Sequence, residues 1–424
     1  MRIASFRGYS APAFLALLCG SALSQTDPTV LSNLVVIGDS LSAGVQNFSL
    51  LGTQQINGFA NLIAEQAKVP LVLPLVPYPG VPNVLQLTGL NPVTIAPASV
   101  PPVSFPRIYP CQQPTNLSVP GVNLAQALSL LPSATPASPV DAWADIVLGF
   151  PNPLFAGPCG IAPLALTEVE QAVALKPTAI IEWLGNNDAL VPALTGQLNT
   201  LTPLVSFATS YKTLLDTLRK TNAHIITASI PDVTKVPYFT PLSVIATTVN
   251  VPVGVVASTL GIGPQDLLRP TAAPIALAIL AGLTPGPLPE NCPAPALMLP
   301  VSTVPCVLRA RDADYLRFTI DSYNLVIFAE SMAHGADVVD VHAALDDLAA
   351  RGYNTDGKHL TTSFLGGLLS LDGIHPTNTG YAIIANSFIE TINRCWYTHV
   401  PMVNVDEIAA HDPLVPPVSL NGQQ

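Results

Sequence analysis

Charge is the scarcest property of this 424-residue chain. Only 10% of its residues are Asp, Glu, Lys or Arg, against about 25% in an ordinary globular domain. The formal charge is −11 and no basic run interrupts the deficit. That excludes a nucleic-acid surface built on phosphate neutralisation, and it argues against attraction to anionic membranes. No apolar run reaches the roughly 20 residues of a transmembrane helix; the longest candidate is 275–283. None of the 6 cysteines has CxxC spacing, and the 7 histidines are scattered without an H-E-x-x-H. Dithiol redox chemistry, structural zinc and zincin-type hydrolysis are therefore not implied, and no cofactor or metal is. What remains is apolar. The chain is 49% hydrophobic, with a mean hydropathy of +0.46. That surplus has to be buried, cover an apolar site or face a partner.

The first 24 residues read as an export signal. Arg2 and Arg7 make a positive start, 11–18 supply a short apolar core, and Ala22 and Ser24 are the small residues before a cut near Gln25. Cys19 follows Leu18 rather than a small residue, so ordinary cleavage is expected over lipidation. The predicted location is secreted or periplasmic. Cleavage leaves five cysteines, Cys111, Cys159, Cys292, Cys306 and Cys395. An oxidising compartment favours pairing, and the odd count leaves at least one unpaired. Cys292 and Cys306 share one irregular stretch and are the expected pair.

Short Val- and Ile-rich runs at 34–37, 71–75, 179–184, 225–230 and 338–341 predict buried parallel strands, because polar alternation is missing from them. Helical stretches at 59–67, 210–221 and 316–333 lie between them. The alternation predicts an α/β fold with a central parallel sheet. Two Pro-rich insertions interrupt it, at about 69–140 and 240–308. The first carries one charged residue, Arg107; the second carries Asp266, Arg269 and Glu290. They are too apolar for disordered linkers. They are expected either to wall an apolar cleft or to enlarge the core. Residues 400–424 read as an extended strap or frayed tail.

Four segments carry chemistry. The first runs Leu34-Val-Val-Ile-Gly38-Asp39-Ser40-Leu41. It places a hydroxyl at the carboxyl end of a strand, where open α/β sheets bind ligands, and a backbone N–H near a helix start, which favours negative charge. In Asn116-Leu-Ser-Val-Pro-Gly121-Val122, Gly121 allows close backbone approach. Glu182-Trp-Leu-Gly185-Asn186-Asn187-Asp188 ends another strand, and Asn187 can offer an amide donor to an oxyanion. In Asp372-Gly-Ile-His375-Pro, a carboxylate stands three residues before an imidazole, ahead of an amphipathic helix that Thr377 could cap. A serine hydroxyl needs an adjacent base, and the base an orienting partner. Asp356-Gly-Lys-His359 repeats the spacing but lacks the proline and the helix start.

Together, in this order, the segments resemble the SGNH hydrolases, also called GDSL lipases and esterases. Gly38-Asp-Ser40-Leu41, Gly121, Gly185-Asn-Asn187-Asp188 and Asp372-Gly-Ile-His375-Pro match that family's four blocks, over roughly 34–394. The resemblance implies a flavodoxin-like three-layer sandwich spanning about 25–399. It implies Ser40 as nucleophile, His375 as base and then acid, and Asp372 as its orienter. Ser40, Gly121 and Asn187 would form the oxyanion hole. The implied substrate is a lipid or other carboxylic ester, and the low charge of both insertions suggests medium or long acyl chains. Acyl transfer to an alcohol would use the same acyl-enzyme, and a catalytically silent secreted binding protein would use the same scaffold. The G-x-S-x-G elbow of α/β-hydrolases is absent. Nothing in the sequence specifies an oligomeric state.

Overall fold

Four of the five apolar runs pair. β1 (Leu34–Gly38), β2 (Ala179–Trp183), β3 (His224–Ala228) and β4 (Asp337–Val339) form a parallel sheet in that order. The computed structural model describes residues 29–90, 93–102, 107–133, 135–149, 165–295 and 301–416. The expected export signal, Cys159 and the end of the tail lie outside them.

Successive side chains of a strand point to opposite faces, and here both faces are covered. Val35, Ile37, Ile180 and Ile225 enter one core. Leu34, Val36, Ala179, Ile181 and Ile226 enter another. The first core is closed by α3 (Glu168–Ala174), α5 (Leu204–Leu218) and α6 (Ala310–Ala333). The second is closed by α2 (Phe59–Ala67) and α8 (Asn378–Trp396). The chain is therefore an α/β three-layer sandwich on a central parallel sheet. The remaining scaffold helices, α1 (Ser40–Ala43), α4 (Asn186–Thr195) and α7 (Val341–Arg351), follow β1, β2 and β4 directly.

The strand expected at 71–75 does not join the sheet. Residues 115–119 take the place beside β1: Asn116 bridges Val36 in parallel, and the Leu117 and Val119 N–H groups donate to the Val36 and Gly38 carbonyls at 2.8 and 2.9 Å. The 71–75 run meets this segment instead of β1: the Val72 carbonyl accepts from the Thr115 and Asn116 N–H groups at 2.9 and 3.1 Å. Counted with this segment, the chain order across the sheet is 2-1-3-4-5, the flavodoxin-like order.

The second insertion folds on itself. Helices Leu242–Val249, Val253–Leu260 and Ala272–Leu280 enclose a separate apolar cluster that includes Cys292 and Cys306. Those two cysteines are bonded, as expected. Cys111 and Cys395 are also disulfide-bonded, so the expected unpaired cysteine is not among the described residues. Arg269, fully buried, fastens the insertion to the sandwich by donating to the Ala193 carbonyl at 2.8 Å, and ties the insertion to itself by donating to the Pro305 carbonyl, also at 2.8 Å. The first described residues of the tail lie against α8 and end in the helix Val405–His411. Asp412 then accepts from the Thr379 N–H and hydroxyl, both at 2.8 Å.

Phe59, Trp183 and Phe388 cluster beneath the carboxyl end of the sheet: Phe59 and Phe388 stack with ring centroids 4.8 Å apart, and Trp183 meets Phe59 edge-on. Phe388→Ala is expected to cost about 3–5 kcal/mol, as removal of a buried aromatic does, measured by chemical unfolding. A loss no larger than that of a surface substitution would show that this cluster does not anchor α8.

Candidate active site

β1 hands its chain to α1 through Gly38-Asp39-Ser40. A side chain at position 38 would stand 2.9 Å from the Trp183 carbonyl of the neighbouring strand, so only glycine fits. Asp39 caps α1 by accepting from the Leu41 N–H at 3.0 Å, and its second oxygen accepts from the Asn186 amide at 2.9 Å. Ser40 opens the helix, half a turn past the strand end, nearly buried.

The partner arrives from the other end of the chain. His375 Nε2 lies 2.9 Å from Ser40 Oγ, and His375 Nδ1 lies 2.9 Å from Asp372 Oδ2. The Asp372 carboxylate builds its own turn: Oδ1 accepts from the Ile374 and His375 N–H groups, each at 2.8 Å. Oδ2 also accepts from the Phe48 N–H at 2.6 Å. Gly373 sits at φ 70°, and a side chain there would meet the Tyr238 nitrogen at 2.9 Å. Thr377 caps α8 as its sequence position suggests, accepting from the Gly380 N–H. Burial alone would raise the Asp372 carboxyl; the charge of His375 and these hydrogen bonds outweigh it and hold the carboxyl below its ordinary range. An ionised Asp372 only accepts, so the neutral imidazole carries its proton on Nδ1 and turns a lone pair on Nε2 toward the Ser40 hydroxyl. The arrangement can draw a proton off Ser40.

Gly121 and Asn187 approach the same corner. The Val119 N–H donates to the Gly38 carbonyl, immediately before Asp39 and Ser40. Pro120-Gly121 then turns, with Gly121 at φ 78°, which favours glycine. Asn187 Nδ2 donates to the Val122 carbonyl at 2.8 Å, and Asp188 accepts from the Leu124 N–H at 2.9 Å. The Asn187 amide thus spans from the Gly121 loop to α4. Among the described residues, neither the Ser40 nor the Gly121 N–H donates to a protein carbonyl. His359 stands apart: it is exposed on a hairpin and pairs with Asn354 at 2.9 Å. His342 Nδ1 lies 2.9 Å from the Ile230 carbonyl, at the start of α7.

Two buried acids support these loops. Glu168 accepts from the Gly38 N–H at 2.5 Å. Glu182 accepts from the Leu184 N–H and from the Tyr211 hydroxyl, each at 2.8 Å. Glu182 falls inside a segment singled out by sequence but was assigned no role there, and Glu168 was not singled out at all. The available signal was a charged residue within the apolar run of β2, in a chain with so few charges. With Asp39 these acids form a buried group. Burial raises Glu168 well above its ordinary value, Glu182 to about 8 and Asp39 to about 6.

An apolar cavity opens beside Ser40, His375 and Asn187. Its described wall comes from the scaffold: among the described residues, none of 69–140 or 240–308 lines it. The second insertion buries its apolar side chains in its own cluster instead. Among the described residues no group of three or more His, Cys, Asp or Glu could hold a metal ion. No described helix is long and apolar enough to cross a membrane by itself.

No family model matches this chain, and no curated protein does. Among solved structures it is similar to LAE5, described as an alpha/beta hydrolase enzyme from the metagenome of Lake Arreo, Spain. The identity is 13%, the match covers 87% of this chain and 97% of that one, and the TM-score is 0.38, a likeness too slight to carry chemistry across.

Asp39 and Glu182 fold with pKa values above their ordinary 3.8 and 4.5. Their contribution to stability is complete below those ordinary values and is lost as the pH rises through about 6 and about 8. Asp372, held low, acts oppositely: its contribution is present above 3.8 and is lost only in stronger acid. The melting temperature is therefore expected to fall between about pH 5 and about pH 8.5. Glu182→Gln should flatten the upper half of that fall. A flat profile in the unmodified protein would show that these carboxyls are not held neutral.

Proposed function

We propose that this chain is an exported serine hydrolase of the SGNH type that cleaves carboxylic esters with an apolar acyl group. The observation that carries the reading is the hydrogen-bonded chain from Ser40 through His375 to Asp372, 2.9 Å at each link. In this reading Ser40 Oγ attacks the ester carbonyl carbon while His375 Nε2 takes its proton. The carbonyl oxygen becomes an oxyanion facing the Ser40 and Gly121 N–H groups and the Asn187 amide. Collapse of that intermediate breaks the bond to the alcohol oxygen, which receives the proton from His375. Water then repeats the sequence on the acyl-serine and releases the acid. Asp372 keeps the imidazole in the tautomer that accepts from Ser40 and stabilises its protonated form. The Cys292–Cys306 disulfide supports an oxidising compartment.

A fluorophosphonate probe is expected to label Ser40 in the unmodified protein. Ser40→Ala and His375→Ala should lose both labelling and ester hydrolysis, with kcat down by about 10⁶-fold. Asp372→Asn should retain the fold and lose about 10⁴-fold at neutral pH. Mass spectrometry locates the label. Folded unmodified protein that takes no label, or takes it elsewhere, would sink the assignment.

A further inference from the structure

Two helices each present one face to the cavity beside Ser40. α7 presents Val341, Ala344, Leu345 and Leu348 to the cavity, and α8 presents Gly380, Ile383, Ile384 and Ser387. Both sets have i, i+3, i+4, i+7 spacing, the pattern of a helix face that packs against a neighbour. Facing stripes of this kind normally interlock to crystal-like density. Here they meet only in part, where Leu348 and Ile383 pack on one cluster, and elsewhere border an open-mouthed cavity of about 90 Å³. Seven residues at 1.5 Å rise make each stripe about 10 Å long, so the space is a slot rather than a dimple.

The slot begins at the reacting atoms, since Ser40, Asn187 and His375 belong to the same wall. It offers little to a polar ligand. The Asp39 carboxylate is engaged by Leu41 and Asn186. The Ser387 hydroxyl donates to the Ile383 carbonyl at 3.3 Å. No lysine, arginine or glutamate lines the slot. A sugar or peptide group placed there would lose its water without replacement hydrogen bonds, whereas dry apolar cavities take up apolar molecules.

We propose that this slot seats the unbranched alkyl chain of the acyl group, and that Ile384 and Leu345 set the length it accepts. The proposal rests on the ester-hydrolase reading and adds where the substrate lies and what selects it. The acyl group, not the alcohol, is the better occupant. It stays attached to Ser40 through both half-reactions, while the alcohol must leave and water must enter.

The test uses the full exported protein with p-nitrophenyl esters of straight-chain acids from acetyl to palmitoyl, and in parallel acetates of straight-chain alcohols. In the acyl series kcat/KM should rise about 4-fold per methylene, from roughly 0.8 kcal/mol for each buried methylene, until the slot is full. Ile384→Trp and, separately, Leu345→Trp should move the optimum to shorter acids and lower the laurate-to-butyrate ratio by at least 10-fold. A ratio cancels any loss common to both substrates. A catalysis-free arm measures the rise in melting temperature with free saturated fatty acids, which should depend on chain length and shrink in both variants. A flat acyl series would overturn the proposal. So would a profile unmoved by both variants, or chain-length dependence in the alcohol series alone. Length-dependent fatty-acid binding without fluorophosphonate labelling would keep the seat and remove the hydrolase reading. Labelling at Ser40 with no fatty-acid effect would do the reverse.

Discussion

The parallel pairing of β1 with β2 is the constraint on which the rest depends. Their register joins Leu34 to Ala179 and runs without a slip to Gly38 opposite Trp183. Because the strands point the same way and end level, the loops leaving them emerge on one edge. Asp39-Ser40 leaves β1 there, and Gly185-Asn186-Asn187 leaves β2 there. The Asn186 amide then closes on Asp39 at 2.9 Å. A shift of one residue would turn every side chain of β1 to the opposite core and carry Ser40 out of reach of Asn187. Residues 115–119 extend the same logic on the outer side of β1, bringing Gly121 to the edge through the Val119 bond to the Gly38 carbonyl.

The low charge of the chain has a local consequence at this edge. Glu168, Asp39 and Glu182 are buried together, and each holds a backbone N–H or a polar side chain next to the strand ends. A buried carboxyl with few cations nearby lowers its cost by staying neutral. These groups serve as fixed hydrogen-bond partners for the loops. Asp372 contrasts with them. It is as deeply buried, but four hydrogen bonds and the His375 imidazole favour its charged form. Two environments beside the same serine thus shift carboxyls in opposite directions, Glu168, Glu182 and Asp39 upward and Asp372 downward.

The two Pro-rich insertions show where reading by composition stops. Their apolar character left open whether they wall a cleft or enlarge the core. The second insertion buries its apolar side chains within itself, around the Cys292–Cys306 disulfide, and the cavity at Ser40 is lined from the scaffold. Composition reports how much apolar surface must be covered but not by what. The missing strand at 71–75 has the same origin. Its hydrophobicity matches a strand, but the segment containing Asn116, with fewer apolar residues, fills the position beside β1.

Four of the five expected strands, the alternation with helices and the chemical segments were legible in the sequence, because each depends on neighbours along the chain. Hydrophobic runs without alternation mark buried parallel strands. Gly38 before Asp39-Ser40 marks a tight strand exit, and Asp372 three residues before His375 sets a turn that the carboxylate itself closes. Only the tertiary structure decided which segment borders β1, that Glu168 supports the loop of Ser40 from 130 residues away, and that α7 and α8 together border the cavity at Ser40. Those outcomes depend on long-range packing, where many apolar stripes compete for the same partners and local spacing does not say which pair will meet.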